Sequence, residues 1–467
     1  MKQQICNKKS VFGSISSSLI LLAGLALAGN ALANNAMNSH GYGTKNKAMG
    51  GAGIAFPRDA AAVINNPATA MAVAGKMQAG LSVYHPRQNY FSTESENNGE
   101  NGTFTIGPND ITGDRKYLLQ PYFAQSVPIN DISAVAVSLY TRAGMNTLYK
   151  GGTATFDPDL DGPEPVGTFP GTFGDGNASY KMYQTLLDMT YARQVSEKIS
   201  LGVTAVLAAQ KFRADGIQSL APLTRTWALH DGTVEVKNLS GNKNDWTFGA
   251  GVKVGFHAQF TKTMSFGLMY QSKIFMGKHD NYADLLPSYG SFDIPANLKV
   301  GFTWQPLDVL AFSLDMERIF NSGVDALDNS LDDLLECPTA GYGGTDLSKC
   351  LGGQNGGGLG WDSTNVYKIG GSWSVTPKWM LLAGFSITDQ PISVDQSLNN
   401  MLTPFLAEAH YTLGLTYTLD SGADINFSAA YSEEESQGYP NAFDPSQIVK
   451  IESDQFDFEI SYSYRFR

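Results

Sequence analysis

Long apolar runs are nearly absent from this sequence of 467 residues. The clearest one, Leu19 to Ala28, has about ten residues, whereas a membrane-spanning helix needs about twenty. Charged residues are also scarce, at 16%, while a soluble domain carries roughly a quarter. These absences argue against membrane-spanning helices and against an ordinary soluble domain. A periplasmic protein, a secreted protein and a closed β-barrel stay open, and the composition favours the barrel.

The short apolar run belongs to an export signal. Three lysines precede it, and Ala31-Leu32-Ala33 supplies the small-residue pattern at which signal peptidase cuts. We therefore predict that residues 1–33 are a removed signal peptide. The mature chain would then begin near residue 34.

Cysteine and basic residues are few. Cys6 lies in the predicted signal peptide, so we predict that Cys337 and Cys350 form a disulfide after export. Acidic residues outnumber basic ones by 44 to 32, and the formal net charge is -12. This charge argues against nucleic acid as a partner.

Alternating apolar and polar residues are abundant in the sequence. From Phe456 to Phe466 every second residue is apolar, which predicts a strand with one apolar face. The same rule predicts about fourteen strands, among them one over 264–275, and tight turns between them alternate with long loops. The long loops are predicted at 87–116, 144–179, 211–245, 276–295, 321–365, 389–410 and 432–455. Outer-membrane barrels have short periplasmic turns and long external loops, so we predict an all-β fold in which residues 76–467 form a fourteen-stranded antiparallel transmembrane β-barrel.

Residues 34–75 precede the first predicted strand and lack the alternating pattern. They are rich in Gly, Ala and Asn. They form either a plug inside the lumen or a disordered periplasmic tail. We predict the plug, because the lumen of a fourteen-stranded barrel is too wide for its own side chains to fill.

Several segments carry a family resemblance. They are Gly41 to Ala55, Asp59 to Ala61, Asn66-Pro67-Ala68, Tyr270 to Ile274, Ile294-Pro295-Ala296 and Asp389 to Ile392. In their order and spacing these segments resemble the FadL/TodX family, outer-membrane transporters of long-chain fatty acids and aromatic hydrocarbons. The resemblance implies fourteen strands and an N-terminal plug. Within residues 34–75, Pro67 fixes its own backbone angle and the Asn66 side chain can bond nearby backbone, so we predict a stiff turn at Asn66, Pro67 and Ala68.

Two positions depart from the family pattern. Gln271 stands where the family often has Arg, which puts a carboxylate-binding role there in doubt. Phe466 is followed by Arg467, whereas such barrels usually end on the aromatic residue.

The resemblance also implies a route for an apolar ligand. The ligand would enter at an external hydrophobic groove, pass through an apolar pocket in the lumen and leave sideways through the wall after the plug shifts. We therefore predict passive uptake of hydrophobic compounds across the bacterial outer membrane, with long-chain fatty acids preferred over aromatic hydrocarbons. A general porin and an adhesin are the alternatives. Membrane lipids, lipopolysaccharide and the barrel assembly machinery are the expected partners of a monomeric protein.

Four lysines are candidate ligands for a fatty acid carboxylate. Lys253, Lys273, Lys299 and Lys368 fall on the polar, lumen-facing side of predicted strands. A carboxylate that leaves water needs a cation or several donors, and a hydrocarbon does not. Lys273 is preferred because it lies in the family-like Tyr270 to Ile274 segment. The alternative is that these lysines pair with carboxylates of the plug.

One loop has the acid spacing of a calcium site. Asp157, Asp159 and Asp161 alternate before a glycine, but Thr168 stands where a calcium loop has its glutamate. A solvated turn is the alternative. The segment around Ser372 lacks the closing glycine of a nucleophile elbow, and the six histidines are scattered. We predict no catalysis and no cofactor beyond this possible structural calcium.

Overall fold

Fourteen antiparallel strands dominate the computed structural model, which describes residues 38–114, 117–158 and 165–466 apart from the side chain of Ala143. We label them β1 to β14 in chain order. They are Lys76–Ser92, Leu118–Asn130, Ser133–Tyr149, Ala178–Ser196, Ile199–Asp215, Asp245–Gln259, Met264–Gln271, Asn297–Leu307, Leu310–Ile319, Thr364–Ser374, Trp379–Thr388, Ala409–Thr418, Asp424–Asn441 and Asp444–Arg465. Each strand pairs with its chain neighbours, and β1 also pairs with β14. The sheet is therefore closed, and the predicted fourteen-stranded barrel is confirmed.

Apolar side chains cover the outside of the barrel and polar ones the inside. On β14, Phe458 and Ile460 are 56% and 47% exposed, whereas Asp457 and Glu459 are each 4% exposed. This pattern is the reverse of that in a soluble protein and suits a wall surrounded by lipid. Among the described residues, no helix is long and apolar enough to cross a membrane.

The last hairpin differs from the prediction. Residues 432–455 were expected to form a long loop, but β13 and β14 continue as paired strands to Asn441 and Asp444. The register shifts between Ser432 and Glu435, which breaks the period-two pattern there. Main-chain hydrogen bonds extend the hairpin beyond this point although the side chains no longer alternate. The prediction missed this extension because it relied on alternation.

The other long connections contain short elements. The strands among them are Thr105–Ile106, Asn109–Thr112, Thr153–Phe156, Gly167–Pro170 and Phe275–Met276. The α-helices of the described chain are Thr44–Ala48, Ala62–Asn65, Arg225–Leu229, Pro287–Gly290, Asp325–Asp328 and Leu331–Leu335. The 3₁₀ turns are Pro67–Ala70, Glu100–Gly102, Gln218–Leu223, Asp280–Tyr282, Asn321–Gly323 and Val394–Gln396. The long connections follow the odd-numbered strands from β1 to β13. Their elements pack apolar side chains together at the outer end of the barrel, so the largest hydrophobic core of the described chain lies among the loops.

The strand predicted over 264–275 is interrupted. β7 ends at Gln271, and pairing with the segment before β8 resumes only at the bridge between Ile274 and Ile294. In the register of β7 and β8, Pro295 stands opposite Lys273. Proline has no N–H to donate, so the ladder breaks at this point.

Candidate functional site

An apolar cavity lies between the outer end of the barrel and the long loops. It contains about 970 Å³ free of protein atoms, its open mouth included. None of the described residues that line it is charged, and the lining includes Phe104, Phe173, Phe212, Phe292, Leu331 and Leu402. Burying a CH₂ group in such a cavity is worth about 0.8 kcal/mol. The cavity therefore suits an apolar molecule.

A second hollow adjoins the cavity on the loop side. It contains about 960 Å³, again with its open mouth, and shares Phe104, Leu220, Leu223 and Phe443 with the cavity. Trp227 adds a further aromatic ring. The two hollows therefore lie side by side among the external loops and share an apolar border.

A polar layer lies beneath the cavity. The Arg142 guanidinium donates to Gln184 at 2.7 Å, and the Gln184 amide donates to Gln210 at 3.5 Å. Gln210 in turn lies 3.3 Å from the His279 ring. That ring packs against Phe212 of the cavity, with centroids 5.6 Å apart. An apolar ligand therefore meets hydrogen-bonding groups as soon as it moves deeper into the lumen.

Three of the candidate lysines form buried ion pairs with the barrel wall. Lys253 lies 2.7 Å from Asp188, and Lys368 and Lys299 lie 2.8 and 3.3 Å from Glu317. The expected alternative was pairing with carboxylates of residues 34–75, but both partners belong to wall strands β4 and β9. None of these three lysines lines the apolar cavity.

Lys273, the preferred candidate, does not lie on the lumen side of a strand. It follows the interruption of β7, where the pairing with β6 shifts by one residue between Gln271 and Phe275. Ile274 points inward and is fully buried, while the Lys273 side chain is 34% exposed. The Lys273 ammonium lies 3.4 Å from Asp293 and donates to the carbonyl of Gly323 at 3.1 Å. The predicted orientation of Lys273 is therefore wrong, because the rule of alternation fails where Pro295 breaks the ladder.

Residues 38–75 contact the inner wall through buried polar groups. Lys47 lies 2.6 Å from Asp457 and 3.0 Å from Glu459, with all three side chains at most 5% exposed. On the other side of the lumen, Asp315 accepts hydrogen bonds from the N–H groups of Gly53 and Ile54 at 2.7 and 2.8 Å. This segment thus bridges strands β9 and β14 across the barrel.

The Asn66-Pro67-Ala68 turn fits against two glycines. The Asn66 side-chain oxygen accepts from the Ala68 N–H at 3.1 Å, and its amide donates to the carbonyl of Phe256 at 3.0 Å. Gly202 and Gly255 are cross-strand partners at this point. A Cβ on Gly202 would lie 2.3 Å from the carbonyl carbon of Pro67. Only glycine therefore lets the wall and the turn approach so closely.

The wall has a gap between β2 and β3. These strands pair only from Tyr122 and Tyr140 to the periplasmic turn, while the residues of β2 before Tyr122 pair with β1 alone. The Arg142 carbonyl, at a bulge of β3, accepts instead from the Ser39 N–H at 3.3 Å and the Tyr42 hydroxyl at 3.4 Å. A small cavity, about 270 Å³ with its open mouth included, adjoins this gap.

Cys337 and Cys350 lie beside the apolar cavity. The structure joins Cys337 and Cys350 by a disulfide, with Cα atoms 4.7 Å apart. Leu334 and Leu351, close to them in sequence, line the cavity. The disulfide therefore holds part of the cavity wall in place.

The predicted calcium loop is only partly described. Asp157 lines the outer hollow, whereas Asp159 and Asp161 lie outside the described residues. In the part of the chain that the structure covers, His, Cys, Asp and Glu side chains nowhere form a group that could hold a metal ion.

The lipid-facing barrel and the apolar cavity behind its external loops define a class: an outer-membrane channel for hydrophobic compounds. The profile of the family described as "Outer membrane protein transport protein (OMPP1/FadL/TodX)" matches residues 168–466. This match covers more than half of the chain, and the protein belongs to this family. The predicted family and the bacterial outer-membrane location are confirmed.

Solved structures show the same fold. The toluene transporter TodX of Pseudomonas putida is 16% identical, with a TM-score of 0.62, over 92% of this chain and 99% of its own. A FadL homologue from Pseudomonas aeruginosa is 18% identical, with a TM-score of 0.59, over 92% and 100%. The toluene transporter TbuX of Ralstonia pickettii is 17% identical, with a TM-score of 0.55, over 92% and 99%. The sequence matches none of the curated proteins with which it was compared.

Proposed function

We propose that this member of the family takes up uncharged hydrophobic molecules, with aromatic hydrocarbons foremost. The observation that carries the proposal is the apolar cavity, whose described lining has no charged side chain. Lys253, Lys299 and Lys368 already pair with wall carboxylates. Two of the similar structures are toluene transporters, which agrees with a neutral ligand.

Long-chain fatty acids are the second candidate. They are favoured by Arg142, a side chain only 2% exposed in the polar layer under the cavity. A fatty acid whose chain fills the cavity would bring its carboxylate toward this guanidinium. Charge-assisted hydrogen bonds of this kind are about twice as strong as neutral ones.

Ligand binding by the purified protein in detergent tests the cavity. Leu331 lines the cavity and is 3% exposed, so Leu331→Asn would place an unpaired amide against the ligand. A loss of about 2 kcal/mol corresponds to roughly thirtyfold weaker p-xylene binding. Leu229→Asn is the matched control, because Leu229 is 41% exposed and does not line the cavity. Equal p-xylene affinities for both variants would refute the cavity as the binding site.

A comparison of p-xylene with oleate separates the two substrate classes. If hydrocarbons are the substrates, Arg142→Met leaves p-xylene binding unchanged and wild-type oleate binding is weak. If fatty acids are the substrates, oleate binds more tightly than p-xylene, and Arg142→Met lowers the oleate affinity alone.

We also propose that the ligand leaves through the gap between β2 and β3. Two observations support this exit. The residues of β2 before Tyr122 do not pair with β3, and a small cavity lined by Thr141 lies against the gap. Thr141→Trp should fill this cavity and slow uptake into cells while leaving p-xylene affinity unchanged. Thr185, the cross-strand partner of Thr141, is not part of the cavity lining and provides the control Thr185→Trp. Normal uptake by the Thr141→Trp variant would contradict this exit.

Residues 34–75, on this proposal, plug the lumen. The buried contacts of Lys47, Gly53, Ile54 and Asn66 with the wall support this role. Deletion of residues 37–70 should leave a heat-modifiable barrel that conducts ions in planar bilayers, whereas the intact protein should conduct little. An intact protein that conducts like an open porin would exclude the plug.

A further inference from the structure

Two polar side chains interrupt the lining of the apolar cavity. Of the described residues that line it, only Tyr180 and Asn399 carry oxygen or nitrogen in their side chains. Tyr180 lies on β4, and Asn399 lies in the loop between β11 and β12. The few polar groups of an otherwise apolar pocket determine the chemistry and the orientation of its ligand. The polar part of a ligand is therefore expected to meet one of these two side chains.

Hydrogen bonds fix the orientation of the Asn399 amide. Its nitrogen donates to the carbonyl of Gly358 at 3.1 Å and to the side-chain oxygen of Gln396 at 3.3 Å. That atom of Gln396 is its oxygen, because it also accepts from the N–H of Leu331 at 2.8 Å. Both hydrogens of the Asn399 amide are thus used, and a flipped amide would set its oxygen against two acceptors.

The Asn399 side-chain oxygen is the atom left over. It has no donor within the described part of the chain. An apolar ligand that displaces water from the cavity leaves this oxygen unpaired, and an unpaired buried acceptor costs free energy. A ligand that donates a hydrogen bond to Asn399 avoids this cost.

The Tyr180 hydroxyl is the second polar group of the lining. Its ring packs edge-on against Phe212, with centroids 5.7 Å apart and ring planes at 67°. Among the described residues the hydroxyl has no hydrogen-bond partner. A hydroxyl can donate as well as accept, whereas the Asn399 oxygen only accepts. Tyr180 can therefore pair with any oxygen of a ligand, but Asn399 requires a ligand with a donor.

This requirement separates the classes of ligand. A hydrocarbon has no donor, and an ionised carboxylate only accepts, so neither can pair with the Asn399 oxygen. An ammonium group donates, but the described lining has no carboxylate to balance its charge. A hydroxyl group donates without carrying a charge. It is therefore the group that fits the cavity beside Asn399.

We propose that the cavity takes apolar molecules that carry one hydroxyl group, such as phenols and long-chain alcohols, in addition to hydrocarbons. The ligand hydroxyl donates to the Asn399 side-chain oxygen. Asn399 is thus the residue that selects for a hydroxyl, and Tyr180 is a less selective partner for any ligand oxygen. The inference rests on the proposed function, because it assigns specificity to the same cavity.

Binding of p-cresol and p-xylene to the purified full-length protein in detergent tests this proposal, because p-cresol has a hydroxyl where p-xylene has a methyl group. Asn399→Leu should weaken p-cresol binding about tenfold, equivalent to about 1.4 kcal/mol, without weakening p-xylene binding. The matched control is Asn355→Leu, since Asn355 is exposed in another external loop and does not line the cavity. This control should leave both affinities unchanged. Heat-modifiability on gels shows which variants are folded.

A third ligand, 4-methylanisole, has the oxygen of p-cresol but no hydrogen to donate. Its affinity should be the same for wild type and Asn399→Leu, whereas Tyr180→Phe should lower it. The selectivity is also measurable without the Asn399 variant, should that variant not fold. Relative to their partition from water into an alkane, p-cresol should bind wild type at least tenfold more tightly than 4-methylanisole.

Three results would overturn the proposal. They are an equal change of the p-cresol and p-xylene affinities in Asn399→Leu, a parallel loss of 4-methylanisole affinity, and equal partition-corrected affinities of p-cresol and 4-methylanisole for wild type. If Tyr180→Phe changes no affinity, Tyr180 is not a partner of the ligand. Failure of the proposed function is seen separately, because Leu331→Asn would then leave p-xylene binding unchanged.

Discussion

The buried ion pair of Lys47 offers the sharpest test of how residues 38–75 are held against the inner wall of the barrel. Lys47 lies within 3.0 Å of both Asp457 and Glu459, and none of the three side chains is more than 5% exposed. Lys47→Met keeps the apolar stem but removes the charge. Two carboxylates would then remain buried without their cation. Water would hydrate these two carboxylates if residues 38–75 moved away from the wall. The variant should therefore favour this undocked state.

The size of the effect follows from the burial. Removing one partner of a buried ion pair costs about 3 to 5 kcal/mol. A loss of 3 kcal/mol in docking free energy raises the undocked population by roughly 150-fold. The barrel itself should stay intact, because its strands are joined by main-chain hydrogen bonds that Lys47 does not make.

Single-channel recording in planar bilayers is the assay. Lys47→Met should open to an ion-conducting state far more often than wild type. Lys45→Met is the matched control from the same helix, since the partner of Lys45, Asp424, is 24% exposed and remains hydrated without it. A triple variant that adds Asp457→Asn and Glu459→Gln to Lys47→Met should open less often than Lys47→Met alone, because no unpaired carboxylate remains buried. If Lys47→Met stays as closed as Lys45→Met, the ion pair does not hold the segment and the reasoning fails.

Four further predictions concern the wall and the loops. Gly202→Ala should also raise ion conductance, because the added Cβ would lie 2.3 Å from Pro67. Gly371→Ala should not, because the nearest atom to its added Cβ lies at 3.5 Å. Equal conductance of the two variants would contradict the close packing of Pro67 on Gly202. Thiol labelling of the unreduced, denatured protein should find Cys337 and Cys350 unreactive, and two labelled thiols per chain would disprove the disulfide. Calcium should protect the loop near residue 160 from limited proteolysis, and equal cleavage in chelator would exclude that site. Burial lowers the pKa of His279 to about 4. As the pH falls, His279 therefore binds a proton at a higher pH in opened loops than in packed ones, which favours opening. Protease resistance of the loops should therefore fall as the pH drops from 6.5 to 4, and His279→Gln should remove this dependence; an unchanged pH profile would rule out His279 as the cause.

The candidate site was predicted less well than the barrel. The apolar cavity is lined by residues such as Phe173, Leu331 and Leu402, which lie in loops without a regular period. Nothing in their spacing indicates that they meet. The polar layer was missed for a similar reason, since Arg142 and Gln184 are ordinary inward residues until the lumen brings them together.

The strands could be predicted from the sequence because the alternation of their apolar and polar side chains is a local pattern. In a barrel wall each strand faces lipid on one side and the lumen on the other, so side chains alternate wherever the ladder is regular. The period-two pattern and the alternation of turns with loops therefore predicted the closed barrel and its location, while the order and spacing of the family-like segments predicted its family. The prediction failed at Lys273 and in the last hairpin, where the ladder has a break or a register shift.

Only the tertiary structure decided what the lumen contains. The partners of Lys253 and Lys368, the carboxylates Asp188 and Glu317, lie 65 and 51 residues away in sequence. Lys47 meets Asp457 across 410 residues. A buried charge is satisfied by whichever opposite charge the closed wall brings within about 3 Å, and sequence distance does not enter that energy. Where the ladder is regular, the sequence therefore determined which residues face inward, while closure of the barrel determined which of them contact one another and which line the cavity.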